Sequence, residues 1–282
     1  MTQTDTFIHK IQEHYARPDL NETILAALRS AGKDPNQLKA EDLAPLDEFH
    51  IRGKQATIEM AEKLNLSSSD HVLDVGSGLG GASRYLAATF GSSVTGIDLT
   101  EAYCTAAQML AGRLDLDHKV TYRSGSALAI PFENEYFDAV WTQHASMNIA
   151  DKARLYQEIY RVLKPGGTFA LYDVLAGSGG PVDFPVPWSR SAEFSFLIDP
   201  DHLYKLLVEI GFSIHSWRDT TEEGRVFFNK VVERIDQNGL PPLGFHTFLG
   251  PDFVHMAHNV ARALDESRIV VIEAVVKKPS VH

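Results

Sequence analysis

From His71 onward, short apolar runs alternate with amphipathic stretches, and the first of those runs ends in a cluster of glycines. His71–Val75 is followed by Ala82–Phe90, Ser93–Asp98, Glu101–Leu114 and Lys119–Arg123. This alternation predicts βαβ units around a parallel sheet: strands covered by helices on both faces need apolar residues continuously, not at every second position. Phe137–Thr142, a helix over Lys152–Leu163, a turn at Pro165-Gly166-Gly167 and a strand Thr168–Val174 complete five core strands. An α/β chain with a doubly wound sheet is therefore expected.

The flanking stretches read differently. Residues 1–68 carry apolar positions at helical spacing (Ile24, Leu25, Leu28, then Ala56, Ile58, Ala61, Leu64), which predicts an N-terminal helical cap. The core is expected over 69–178. Gly177–Pro181 marks a loop, and the aromatic, proline-rich run Phe184–Trp188 suits a lid. A helix over His202–Ile210, a sixth strand Phe212–Trp217 and a helical insertion over Glu222–Leu264 place lid and substrate-cap insertions in 179–265. Arg268–Val276 supplies a last strand within 266–282.

Charge and cysteine usage narrow the partners. The 282 residues carry a formal net charge of −11, so the average surface field repels a phosphate backbone or an anionic lipid. Nucleic acid is disfavoured as a substrate. The single cysteine, Cys104, forms neither an internal disulfide nor a cysteine-rich metal cluster, which suits a reducing cytoplasm. Met1–His14 is polar and lacks the form of a secretory signal. No window reaches the roughly 20 apolar residues that cross a bilayer, so no membrane partner is expected. The twelve histidines show no metal-binding spacing on one helix, and no metal is predicted.

The glycine run, Gly76-Ser77-Gly78-Leu79-Gly80-Gly81, sits where a strand hands over to a helix, and there it allows a ligand to lie against backbone N–H groups. Gly76, Gly78 and Gly81 satisfy the dinucleotide pattern, and Asp98, at the end of the next strand, is placed to accept from a ribose diol. Adenosine is implied. Asp74 discriminates among adenosine compounds: a carboxylate before the glycines repels a pyrophosphate but suits the amino and sulfonium groups of S-adenosylmethionine. The structural alternative for both carboxylates is capping of the turns that follow them.

The glycine run, Ile97-Asp98-Leu99, Ser124-Gly125-Ser126-Ala127, Ile130-Pro131-Phe132, Phe137-Asp138 and Arg161–Gly167 together resemble the motif series of class I S-adenosylmethionine-dependent methyltransferases. The resemblance implies a Rossmann-like seven-stranded sheet, mostly parallel with an antiparallel last strand. It also implies S-adenosyl-L-methionine as cofactor, S-adenosyl-L-homocysteine as product, and cofactor contacts at Asp74, Gly76, Gly78, Gly80, Asp98, Leu99, Ser126 and Ala127. Where many relatives have an acidic residue before the adenine-contacting position this chain has Ser126, whose hydroxyl can still accept from an adenine amine. Asp47–Gly53, Trp141–His144, Met147–Lys152, Leu243–His246 and Gly250–Asp252 further resemble the sarcosine/dimethylglycine N-methyltransferase-like subgroup.

Methyl transfer is an in-line displacement, so the protein must align nucleophile, methyl and sulfur and exclude water. Ligands of open α/β sheets collect beyond the carboxyl ends of the strands, which singles out Gln143, His144, Met147, Asn148, Tyr172 and Asp173. His144 could take a proton from the nucleophile or orient it, and Asp173 could bind a cationic amine or cap the glycine-rich loop after it. Gln143 is assigned to the cofactor. His50 faces the acceptor, and the resemblance sets Arg52 against the cofactor's methionine carboxylate, with a solvated surface arginine as the alternative. Trp188, Phe194, Phe196 and Trp217 could wall a pocket for a methylated ammonium, or be core. The expected reaction is methylation of a small-molecule amine nitrogen such as glycine, sarcosine or dimethylglycine. The alternatives are an O- or C-methyltransferase, a nicotinamide-dependent oxidoreductase, and a cofactor-binding protein without turnover; a homodimer is compatible with each.

Overall fold

The computed structural model describes residues 19–47 and 50–280. The polar start Met1–His14 and the Glu48-Phe49 pair lie outside the described residues. The cap comprises α1 (Leu20–Ser30), α2 (Ala40–Asp47) and α3 (Lys54–Ala61), the last extended by a 3-10 turn at Glu62–Leu64. Helix α1 buries Leu20, Ile24, Leu25 and Leu28, one stripe at helical spacing.

The core follows in the expected alternation: β1 (His71–Val75), α4 (Gly81–Phe90), β2 (Ser93–Asp98), α5 (Glu101–Arg113), β3 (Val120–Ser124), β4 (Phe137–Gln143), α6 (Lys152–Val162) and β5 (Leu163–Ala176). Helix α6 starts where the Asp151 side chain accepts the Arg154 N–H, and it buries Leu155, Tyr156, Ile159 and Val162. Then come α7 (Pro200–Ile210), β6 (Ser213–Asp219), α8 (Thr221–Asn238), α9 (His246–Leu249), α10 (Phe253–Asp265) and β7 (Ile269–Lys277). The seven strands form one sheet in the order β3-β2-β1-β4-β5-β7-β6. β1 to β5 run parallel, and β7 lies antiparallel between β5 and β6. The strand order reverses between β1 and β4, which opens a crevice beyond their carboxyl ends.

Two local readings of the sequence differ from the structure. Pro165-Gly166-Gly167 is not a turn between helix and strand but an irregularity inside β5. Pairing with β4 jumps from Phe137↔Leu163 to Ala139↔Thr168, while Lys164 Nζ binds Asp138 Oδ1 at 2.6 Å. At its other end β5 runs on to Ala176, so Asp173 lies inside the strand instead of at its mouth. The Phe184–Trp188 run packs onto the rest of the chain: Val186 is 0% and Trp188 4% exposed, Phe184, Pro185 and Pro187 are half-buried, and Asn259 Nδ2 donates to the Pro185 carbonyl at 2.9 Å. Proline and large apolar groups there have more to gain from the core than from water. No helix among the described residues is long and apolar enough to cross a membrane.

Candidate active site

The glycine loop is held from two sides. Gly76 and Ser77 N–H both donate to the Ile97 carbonyl at the end of β2, at 2.8 and 3.0 Å. A Cβ on Gly76 would stand 2.5 Å from the Ala145 Cβ, so glycine lets the loop close against the segment after β4. Gly78, by contrast, faces open space at φ +52°. Gly80 belongs to the other side of the loop: its carbonyl accepts from Tyr122 Oη at 3.1 Å, and it stands outside the cavity lining.

The crevice is a cavity of about 760 Å³, within the range of small-molecule sites. Gly76, Gly78, Asp74, Asp98 and Leu99 line it from the β1 and β2 ends, and Ser126 and Ala127 from the segment after β3. Gln143, His144 and Asn148 line it from β4 and beyond, with His50 from the cap and Phe196 from the segment before α7.

Asp74 is 2% exposed and accepts from Ser83 Oγ at 2.6 Å. Burial pushes its carboxyl up to about 7; Ser83 opposes the shift and Asp98 adds to it. Asp98 accepts the Gly78 N–H at 3.0 Å through Oδ2 and the Thr100 N–H at 2.9 Å through Oδ1, so it caps the loop and still has lone pairs for a ligand. Burial raises it too. Ser126 Oγ accepts from the Leu128 N–H at 3.2 Å within its own turn.

His144 adopts the left-handed region, φ +50°, with its N–H on the Tyr172 carbonyl at 2.8 Å. Its Nδ1 accepts the Ile51 N–H at 3.3 Å, which leaves the proton of the neutral ring on Nε2, which has no hydrogen-bond partner among the described residues. Burial, with His50 adding to it, holds its pKa well below the ordinary value. His50 Nε2 lies 2.9 Å from the Gly53 carbonyl and 3.1 Å from Thr57 Oγ1, and burial lowers it to about 4. Thr57 also meets the Gln143 side chain at 3.3 Å, which joins cap to core.

Asn148 donates through Nδ2 to the Trp188 and Phe194 carbonyls at 2.7 and 3.0 Å, and Phe196 N–H donates to the Met147 carbonyl at 2.8 Å. These bonds set the wall near Phe196. Met147, Tyr172, Asp173, Trp188 and Arg52 do not line the cavity. Asp173 is fully buried behind it: Oδ1 accepts the Ala145 and Ser146 N–H groups at 3.1 and 3.4 Å, and burial pushes the carboxyl up to about 6. Lys152 Nζ holds the Ser146 and Ile149 carbonyls. Together they brace the segment that carries His144 and Asn148. The Tyr172 ring lies against His144, tilted by 34° with ring centroids 5.0 Å apart.

Arg52 is buried, not solvated, and donates to Glu59 Oε2 at 2.6 Å; Arg218 reaches the same oxygen at 2.7 Å. Trp188 Nε1 donates to Ser195 Oγ at 3.0 Å, and Trp217 packs on Tyr204 with centroids 5.3 Å apart. The four-aromatic cage is therefore reduced to Phe196, joined by two rings that sequence reasoning missed. Tyr103, in the first turn of α5, and Phe248, in α9, both line the cavity, with their centroids 6.4 Å apart. Asp47, Asp151 and Glu193 were also missed. Tyr103 follows Asp98 by little more than one helical turn and was within reach of spacing arguments; Phe248 comes from a distant insertion and carried no local signal. No group of three or more metal-ligating side chains is gathered among the described residues.

A mostly parallel sheet with a crevice at its switch point, carboxylates on β1 and β2 and helices over the mouth matches the fold of S-adenosylmethionine-dependent methyltransferases. Residues 73–171 match the family profile described as "Methyltransferase domain". The glycine/sarcosine/dimethylglycine N-methyltransferase of Actinopolyspora halophila is 29% identical over 209 residues, 74% of this chain and 36% of that protein. The tocopherol O-methyltransferase of Arabidopsis thaliana is 43% identical over 96 residues, 34% of this chain and 28% of that one. The chain thus spans about a third of the length of these relatives. In fold it is similar to phosphoethanolamine N-methyltransferase 2 of Haemonchus contortus, at TM-score 0.72 and 20% identity over 96% of this chain and 61% of that one.

Proposed function

We propose that the protein transfers a methyl group from S-adenosylmethionine to a small-molecule acceptor. The observation that carries this reading is Asp74: a buried carboxylate on the cavity wall, hydrogen-bonded to Ser83, beside the open face of Gly78. Such a site attracts a cationic amino or sulfonium group and repels a pyrophosphate, which weighs against a nicotinamide nucleotide. Asp98 would hold the ribose, and Ser126, Ala127 and Leu128 the adenine. When bound, the cofactor supplies an electrophilic methyl group: the acceptor's lone pair forms the new bond to carbon, the carbon–sulfur pair returns to sulfur, and any displaced O–H or N–H proton leaves to water.

His144 orients the acceptor in this reading and does not deprotonate it, because its Nδ1 faces the Ile51 N–H and its Nε2 already bears the proton. Asp173 and Lys152 act as positioning residues for His144. An amine nitrogen is the leading acceptor, as the N-methyltransferase relatives suggest; a hydroxyl oxygen is the second reading, favoured by the tocopherol O-methyltransferase match. The acidic balance and the enclosing cap support a small molecule over nucleic acid, and the single buried thiol of Cys104 suits the cytoplasm.

Calorimetric titration with S-adenosylmethionine, joined to transfer of a labelled methyl group to amines and phenols, tests the assignment; heat from a nicotinamide nucleotide alone would overturn it. Asp98→Ala is expected to weaken cofactor binding by about 1–2 kcal/mol, or roughly 5- to 30-fold, the cost of leaving a buried polar partner unmatched. Unaltered affinity would place the ribose elsewhere. Binding should also depend on pH. A neighbouring cation favours ionised Asp74, so as pH falls from about 8 to about 6 and the carboxyl gains its proton, affinity should drop about tenfold. Asp74→Asn should flatten that slope; a wild-type profile without it would remove Asp74 from the cation's neighbourhood.

A further inference from the structure

We propose that the methyl acceptor carries no anionic group and is a neutral or cationic molecule with an apolar body, a refinement that rests on the methyl-transfer reading above. The argument starts from the charges on the cavity wall. Asp47, Asp74, Asp98, Asp151 and Glu193 all line it, whereas no lysine or arginine does among the described residues. The two histidines on the wall add no positive charge at neutral pH, because burial keeps both uncharged.

The nearby buried cations are engaged elsewhere and stand outside the cavity lining, although Arg52 Nη1 is buried with no hydrogen-bond partner among the described residues. Arg84 donates to Asp47 and to the Leu79 carbonyl at 2.6 Å, Lys152 holds the Ser146 and Ile149 carbonyls, and Arg52 pairs with Glu59. A carboxylate or phosphate on the acceptor would exchange water for carboxylate neighbours, with no fork of donors to receive it. Apart from Asn148 and the two neutral histidines, the remaining wall is mainly apolar or aromatic, with Leu46, Tyr103, Phe196 and Phe248. Glu193 stands exposed at the rim, where it draws in a cation and turns away an anion. Glycine, sarcosine and dimethylglycine, though expected from the sequence, each bring the disfavoured charge, as does phosphoethanolamine.

The test uses the full chain saturated with S-adenosylhomocysteine, and saturation itself is measured first by calorimetry. Failure to load would strike the methyl-transfer reading, independently of the acceptor. Saturation-transfer NMR at millimolar ligand then compares matched pairs that differ only in the anionic group: tryptamine with tryptophan, catechol with 3,4-dihydroxybenzoate, dimethylaminoethanol with dimethylglycine, and ethanolamine with phosphoethanolamine. The anion-free member of the pairs that bind is expected to be at least about tenfold tighter. Glu193→Arg, an exposed change that leaves the fold intact, should narrow that ratio. Equal or tighter binding of the anionic members would overturn the proposal and point to Arg52 as the cation they reach. Failure of every anion-free member to bind would overturn it as well.

Discussion

An Arg84→Met protein is expected to be about 3–5 kcal/mol less stable than the wild type, the usual cost of removing one partner from a buried ion pair. Arg84 is 3% exposed, and its guanidinium meets both Asp47 and the Leu79 carbonyl. Methionine fills much the same volume but leaves the Asp47 carboxylate, already pushed up by burial, without its counter-charge. At roughly 2–4 °C per kcal/mol for a chain of this size, the melting temperature should fall by about 6–20 °C. Changing Asp47→Asn in the same protein should restore part of the loss, since the stranded charge is then gone. A single variant within about 1 kcal/mol of wild type would mean that the Arg84–Asp47 pair adds little to the joining of cap and core.

His144→Ala is expected to lower kcat roughly 10²–10³-fold, the range for losing a donor or the alignment of a reacting group in an enclosed site. Cofactor affinity should move little, because the groups assigned to adenosine lie on the other flank of the cavity, at Asp98 and after β3. The pH profile separates orientation from base catalysis: with His144 neutral across the physiological range, kcat should show no ionisation near the ordinary histidine value. A limb near that value, lost on substitution, would restore the role of general base.

The βαβ order was legible from apolar runs alone because each core strand is covered on both faces: Val72, Leu73 and Val75 in β1, like Ala139, Val140 and Trp141 in β4, are all buried. The cavity lining at Gly76, Asp74 and Asp98 was equally legible, since these residues owe their places to a strand-to-helix handover that is local in sequence. The lining beyond β4 and β5 was not. Asp173 read as the end of a strand because glycine follows at Gly177, but β7 pairs with β5 as far as Ala176 and carries the strand past it. Trp188 and Phe196 have similar composition and only tertiary packing separates them, the first sealed against Asn148 and Ser195, the second left on the cavity wall. Arg52 was set against a ligand carboxylate, yet Glu59, seven residues on and one turn into the cap helix, holds it first.

The antiparallel β7 also bears on how the chain is made. It is inserted between β5 and β6 and pairs with β5 from Thr168 through Ala176. During synthesis, β5 therefore leaves the ribosome with one flank bare, and its partner follows only after nearly a hundred more residues. Residues Phe169–Leu175, fully apolar apart from Tyr172 and Asp173, must wait through that interval as an open edge. Closure is thus a late, long-range event, and the nascent chain is most prone to mispairing just before its last strand emerges.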